Sequence, residues 1–216
     1  MKKFPYIPLL LVCIYLSPSC SPRARHIPPT ESGKTQFEPI PLIDFTLTER
    51  SGEKLGKKDL LGNVWVASFV FTRCTGPCPQ VTATMAQLQQ ELKEVPHLRL
   101  VTFTVDPERD KPDELKKYAE HFRADPKKWL FLTGEEKKIH ELLMKGFKIG
   151  VGRAENPEPG KEFDHSTRLV IVDALGNIRG FANGIRDEND PDSERHFKEN
   201  LDNLKLQILE LVKEIQ

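Results

Sequence analysis

The stretch Asn63–Gln80, NVWVASFVFTRCTGPCPQ, decides how the rest of the chain is read. From Val64 to Phe71 the residues are apolar and often β-branched, interrupted only by Ser68. This is the pattern of a strand buried on both faces. The run breaks at Thr72-Arg73, and Cys74 and Cys78 follow with three residues between them. Pro79 suits the first turn of a helix, where its missing N–H costs nothing. Val81, Met85, Leu88 and Leu92 then recur at spacings of three and four, the helical period. The cysteines therefore fall where a central strand hands over to a helix N-terminus. There the helix dipole and open amides favour thiolate over thiol. On a helical turn, residues four apart share a face with Cβ atoms roughly 5–6 Å apart. That distance suits a disulfide or two thiolates on one metal ion. Two unrelated core cysteines are the plain alternative.

The 216 residues are enough for one domain of ordinary size plus extensions. Lysine plus arginine equals aspartate plus glutamate at 32 each, so no basic excess points to nucleic acid, and none is expected as a partner. Of four cysteines, Cys13 and Cys20 lie near the N-terminus, which leaves Cys74 and Cys78 as the pair in the body. A scaffold stapled by disulfides would carry more. One pair at a strand–helix junction has the form of a functional dithiol.

Residues 1–20 read as an export signal: Met1-Lys2-Lys3, an apolar stretch from Phe4 to Leu16, then Ser17-Pro18-Ser19-Cys20. The apolar stretch is about 13 residues, short of the roughly 20 that a spanning helix needs. Cys20 after small residues resembles a bacterial lipoprotein cleavage site, at which the cysteine is lipidated. In such sites leucine stands three residues before the cysteine. Here Ser17 holds that place and Leu16 stands one further back. A lipid on Cys20, an uncleaved N-terminal anchor or free export would each put the body outside the cytoplasm. The expectation is a membrane-tethered protein facing the periplasm or extracytoplasmic side, an oxidising compartment for the dithiol. Residues 21–39, rich in proline, serine and charge, read as a flexible tether.

From 40 to 216 the pattern is that of one α/β domain. Ile40–Leu55 reads as a short hairpin ahead of the core. Leu98–Val105 alternates as a second core strand and ends in the polar turn Asp106-Pro107-Glu108-Arg109-Asp110. Pro112 opens a helix that carries Leu115, Tyr118, Ala119 and Phe122. Trp129–Leu132 is a third strand, and Glu135–Lys145 a helix with Ile139, Leu142 and Leu143 inward. Gly146–Glu162 reads as an insertion loop. Phe163–Val172 and Asn177–Asn183 make a hairpin across Asp173–Gly176, and Ser193–Ile215 is the closing helix. A dithiol after the first core strand, in the order β–α–β–α–β–α–β–β–α, is a thioredoxin-like arrangement: a parallel core finished by an antiparallel hairpin. Thioredoxins place a proline, usually cis, before the strand that enters the last hairpin. Here that stretch is Phe163-Asp164-His165-Ser166-Thr167, with a histidine and no proline.

Three motifs carry a resemblance: Phe71-Thr72-Arg73-Cys74-Thr75-Gly76-Pro77-Cys78-Pro79, Val105-Asp106-Pro107-Glu108-Arg109-Asp110, and Asp164-His165-Ser166. Their sequence and order, from about Pro39 to the C-terminus, resemble the Sco/SenC family of copper-binding proteins that serve cytochrome c oxidase assembly. The resemblance implies a thioredoxin fold in which Cys74, Cys78 and His165 bind one copper ion. It also implies delivery to the copper-receiving subunit of a cytochrome oxidase.

The donor chemistry agrees with that trio. Two soft thiolates select Cu(I), and an added imidazole makes the set acceptable to Cu(II). Zinc competes for such donors but usually takes a fourth ligand. Of six histidines, His26 sits in the tether and His97 precedes a strand. His121, His140 and His196 belong to highly charged helices and read as solvated. Only His165 falls in the stretch that faces the dithiol in this fold. Asp164 could orient the imidazole, although successive strand residues point to opposite faces. Asp106 and Asp110 could border the site from a strand end, or simply satisfy turn amides before a helix. Arg73 could tune Cys74, greet a partner or be a solvated charge. Copper delivery and thiol–disulfide reduction both need the same two sulfurs. A third possibility is peroxide reduction, because Thr75-Gly76-Pro77-Cys78 has the Thr-x-x-Cys spacing of peroxiredoxins; the nearby Cys74 and His165 argue against it.

Overall fold

The structure, a computed structural model, describes residues 37–215. The expected export signal, Cys20 and most of the tether lie outside the described residues. The chain runs β1 (Ile40–Pro41), β2 (Thr46–Glu49), β3 (Lys54–Gly56), α1 (Lys57–Leu60), β4 (Val64–Val70), α2 (Cys78–Glu91), β5 (Leu98–Thr104), α3 (Pro112–His121), β6 (Trp129–Thr133) and α4 (Glu136–Glu141). A π-helical turn over Leu142–Phe147 follows, then β7 (Val151–Arg153), β8 (Phe163–His165), β9 (Arg168–Val172), β10 (Asn177–Asn183) and α5 (Ser193–Lys213).

Eight strands form one sheet in the order β1-β10-β9-β4-β5-β6-β2-β3. β4, β5 and β6 are parallel, and β9 joins β4 antiparallel. Every residue of β4 is buried, as its apolar run requires. α2 lies between α3 and α5 on the sheet. Thr82 Oγ1 meets the Tyr118 hydroxyl at 2.7 Å, and Lys205 Nζ reaches Glu91 Oε2 at 2.7 Å. On the Trp65 and Phe69 side, Phe103 stacks with Phe69 at 5.8 Å and meets Phe45 and Phe147 edge-on at 5.7 and 5.2 Å. Inside the sheet, Thr102 Oγ1 accepts from Trp129 Nε1 and pairs with Ser68 Oγ, both at 2.8 Å. The one polar residue of β4 therefore has a buried partner.

The structure departs from the sequence reading in four places. The expected hairpin over Ile40–Leu55 is reduced to β2–β3, which pairs with β6 at one sheet edge, whereas β1 pairs with β10 at the other. The helix expected to Lys145 changes at Leu142 into the π turn. That wider turn brings Leu142, Leu143, Gly146 and Phe147 all inward, and Lys148 in the left-handed region (φ 60°) ends it. The insertion loop contains β7. Finally, the strand expected over Phe163–Val172 breaks in two. β8 leaves the main sheet and pairs with β7, Val151 opposite His165, while only β9 continues the sheet. Near the N-terminal limit, in the expected tether, Phe37 meets Phe181 edge-on at 5.7 Å.

Candidate metal centre

β4 ends at Val70, and residues 71–77 turn to start α2 at Cys78, with Pro77 as N-cap and Pro79 in the first turn. Cys78 is buried and Cys74 half-buried, and the two stand as thiols. The turn is tied down at both ends. Asp110 accepts hydrogen bonds from Thr72 N at 3.0 Å, Thr72 Oγ1 at 2.5 Å and Thr104 Oγ1 at 2.5 Å. Further along, Thr75 N donates to Gly160 O at 3.2 Å. At the start of α2, Thr82 Oγ1 donates to Cys78 O at 2.9 Å and meets the Tyr118 hydroxyl.

The Cys78 thiol is pushed up from its ordinary value by its hydrogen bond with Cys74 and then by burial, against a lowering contact with the Phe71 backbone. Proximity to the helix N-terminus therefore does not leave Cys78 a thiolate. A metal ion bound there would take the place of the proton. Arg73 is exposed.

The β7–β8 hairpin lies against this loop. Phe163 meets Phe71 edge-on at 5.6 Å and His140 at 6.0 Å, and the Arg153 guanidinium sits over its ring at 5.0 Å. Two residues on, β8 ends at His165; the His165 side chain lies outside the described residues. Asp164 is exposed on β8. Asp106 and Asp110 are each only 1% exposed. Asp110 works as the anchor of the cysteine turn, with burial pushing its carboxyl above the usual range. Asp106 Oδ2 holds Arg109 Nη1 at 3.0 Å.

His140 corrects the sequence reading. It is not solvated: its ring donates to Val105 O, 3.0 Å away, and packs on Phe163. Its position one residue after the inward Ile139 is the signal that the sequence offers. Arg109, Glu162, Thr72 and Tyr118 also support the site; Arg109 and Thr72 stand in the motifs quoted above without a role of their own, and nothing in the sequence pattern singles out Glu162 or Tyr118. Among the described residues, no group of three or more His, Cys, Asp and Glu side chains is arranged to hold a metal ion. The two thiols remain a matched soft pair, so the donor chemistry present fits a copper ion.

A parallel core with an antiparallel closing hairpin and a dithiol at the first strand–helix junction defines a thioredoxin-like dithiol protein. The family model described as SCO1/SenC matches residues 33–194, and the chain belongs to that family. It is 38% identical over 149 residues to the SCO1 protein homolog of Bacillus subtilis, covering 68% of this chain and 75% of that protein. It is 30% identical over 145 residues to a Stutzerimonas stutzeri protein named for copper binding, covering 65% of this chain and 67% of the relative. Among solved structures, a SCO1/SenC family lipoprotein from Bacillus anthracis matches with a TM-score of 0.64 at 35% identity, over 76% of this chain and 98% of that one. BsSco, described as a Sco-family cytochrome c oxidase assembly protein with a disulfide switch, matches at 0.61 and 32%, over 78% and 95%.

Proposed function

We propose that this chain carries copper as cargo. Cys74, Cys78 and His165 hold one ion, Cu(I) or Cu(II), and pass it to the copper-receiving subunit of a cytochrome oxidase. Residues 1–20 export the chain, Cys20 or an N-terminal anchor tethers it to the membrane, 21–39 form the tether and 40–216 the copper-binding domain. The observation that carries the reading is the contact of the two thiols at the start of α2, with the strand that ends at His165 packed on the same loop through Phe163 and Phe71. Alternation along a strand gives positions 163 and 165 a common face. Transfer proceeds through shared thiolates, each bond to the donor replaced as one to the recipient forms. Relatives named for copper binding and for oxidase assembly support the assignment.

A second reading is a thiol–disulfide reductase that keeps the recipient's cysteines reduced. The hydrogen bond between Cys74 and Cys78 and the disulfide switch described for BsSco favour it. One variant separates the two. Disulfide exchange needs an attacking thiolate, a leaving sulfur and access, not His165. Copper binding loses one of three donors in His165→Ala, and Cu(II) suffers more than Cu(I). The variant is expected to cycle its disulfide, lose stable Cu(II) under chelator competition and fail to mature the oxidase. Normal maturation by a folded His165→Ala protein at ordinary copper supply would replace the copper reading with the reductase.

A further inference from the structure

Among the described residues, β7 and β8 pair with each other and with no strand of the main sheet. No ladder of sheet hydrogen bonds therefore fixes the hairpin that bears His165, and its placement depends on contacts made by side chains and loops. Arg153 reaches Glu136 at 2.7 Å and Glu108 at 3.2 Å, but these groups are substantially exposed, and exposed pairs hold little.

Arg109 is placed differently. Its Nη1 lies 3.0 Å from Asp106 Oδ2 and 3.3 Å from Glu162 Oε1, with Glu162 directly before β8. The Asp106 side chain is 1% exposed and that of Glu162 14%. The other oxygen of each carboxylate, Asp106 Oδ1 and Glu162 Oε2, is buried without a hydrogen-bond partner among the described residues. One guanidinium, itself 37% exposed, thus answers the buried Asp106 carboxylate and the half-buried Glu162 carboxylate, and removing it would leave the buried Asp106 charge uncompensated. The turn that carries Arg109 also holds the cysteine loop, because Asp110 closes it with Asp110 N to Asp106 O at 2.9 Å and binds Thr72. Residues 106–110 are therefore a common frame for the dithiol loop and for the root of β8.

We infer that Arg109 and Glu162 are positioning residues: their ion pair fixes the root of β8 to the frame that holds the cysteine loop, and so sets where His165 stands relative to Cys74 and Cys78. The inference rests on the reading of His165 as a copper ligand.

The test uses the reduced full-length chain with Glu162→Gln, Arg109→Lys and His165→Ala, each compared with wild type. Glu162→Gln is expected to weaken Cu(II) binding by about tenfold to a hundredfold, the usual cost of losing a group that orients a ligand. It should also change the Cu(II) absorption and paramagnetic resonance spectra. In the metal-free protein, amide exchange at residues 151–153 and 163–165 should speed up, while Cys74–Cys78 disulfide formation and reduction keep wild-type rates. Arg109→Lys, which keeps the charge, should lose less affinity than Glu162→Gln. Wild-type Cu(II) affinity and spectrum in Glu162→Gln, with Cu(II) binding lost in His165→Ala, would overturn the positioning role alone. Retained Cu(II) binding in His165→Ala would overturn the ligand reading instead. Amide exchange then decides the clamp, and unchanged exchange in Glu162→Gln would remove it.

Discussion

Gly160 and Thr75 are packed so closely that no side chain fits between them. A Cβ on residue 160 would lie 2.6 Å from Thr75 Cγ2 and 2.9 Å from Arg73 O, and Gly160 has φ +85°. Gly160→Ala therefore meets both a left-handed backbone penalty of roughly 1–2 kcal/mol and a collision with the cysteine loop. The expected outcome is a lower unfolding midpoint and faster alkylation of Cys74 as the loop is displaced. Wild-type alkylation would show that the loop does not depend on this contact.

Asp110 gives a pH dependence with a defined sign. Burial raises its folded-state pKa, so the native state keeps a proton over a range in which the unfolded chain has lost it. Its contribution is complete below the ordinary carboxylate pKa and declines as pH rises through the folded value. The stability difference between wild type and Asp110→Asn should therefore move against the wild type as pH rises above the ordinary carboxylate range and through the raised folded-state pKa. The change is about 1.4 kcal/mol for every pH unit that separates the folded-state from the unfolded-state pKa. Urea unfolding at a series of pH values reads it, and a pH-independent difference would contradict the assignment.

Lys128 closes the far end of α2. Its buried ammonium donates to Leu92 O, to Lys93 O at 2.8 Å and to Val95 O at 3.3 Å, carbonyls of the cap and turn that follow α2, of which Leu92 O also accepts from Val95 N at 3.1 Å. Lys128→Met keeps the stem and removes the donor. The expected loss is about 1–3 kcal/mol, the cost of leaving buried acceptors unmet, measured by chemical denaturation. No loss would mean that water replaces the ammonium.

His140 and His121 should respond differently to the same truncation. His140→Ala removes the contact with Val105 O and an edge of the Phe163 pocket, with an expected cost of about 1–3 kcal/mol. His121 is exposed on α3, and His121→Ala should stay within about 0.5 kcal/mol of wild type. Equal effects in the two variants would refute the packing of His140 against Val105 O and Phe163.

The core is legible in the sequence because its signals are local. The apolar run of β4, the alternation of β5, the proline at the start of α3 and the period of α5 each fix one element without reference to another. The dithiol and its junction are legible for the same reason. What is not legible depends on partners distant in the chain. Whether Ile40 pairs with Lys54 or with Ile178 is a matter of sheet order, and the structure chooses Ile178. Phe163–Val172 reads as one strand, yet Phe163 is drawn to Phe71 and His140 while Leu169–Val172 stay with the sheet. Arg109 looks like one more charge in a polar turn until Glu162 is brought beside it. The fate of His140 follows from Val105, 35 residues away.

The division of the N-terminal segment between the two borders of the sheet has a consequence for association. β1 covers β10 and β2–β3 covers β6, so residues 40–56 seal both sides of a platform that would otherwise recruit strands from other molecules. The sealing strands are poor templates themselves. β1 has two residues, one of them Pro41, and β3 has three, beginning with exposed Lys54. Proline and lysine on short borders discourage further pairing. A chain cut before Thr46 would keep the dithiol and most of the core but uncover β10, and its first failure would be self-association.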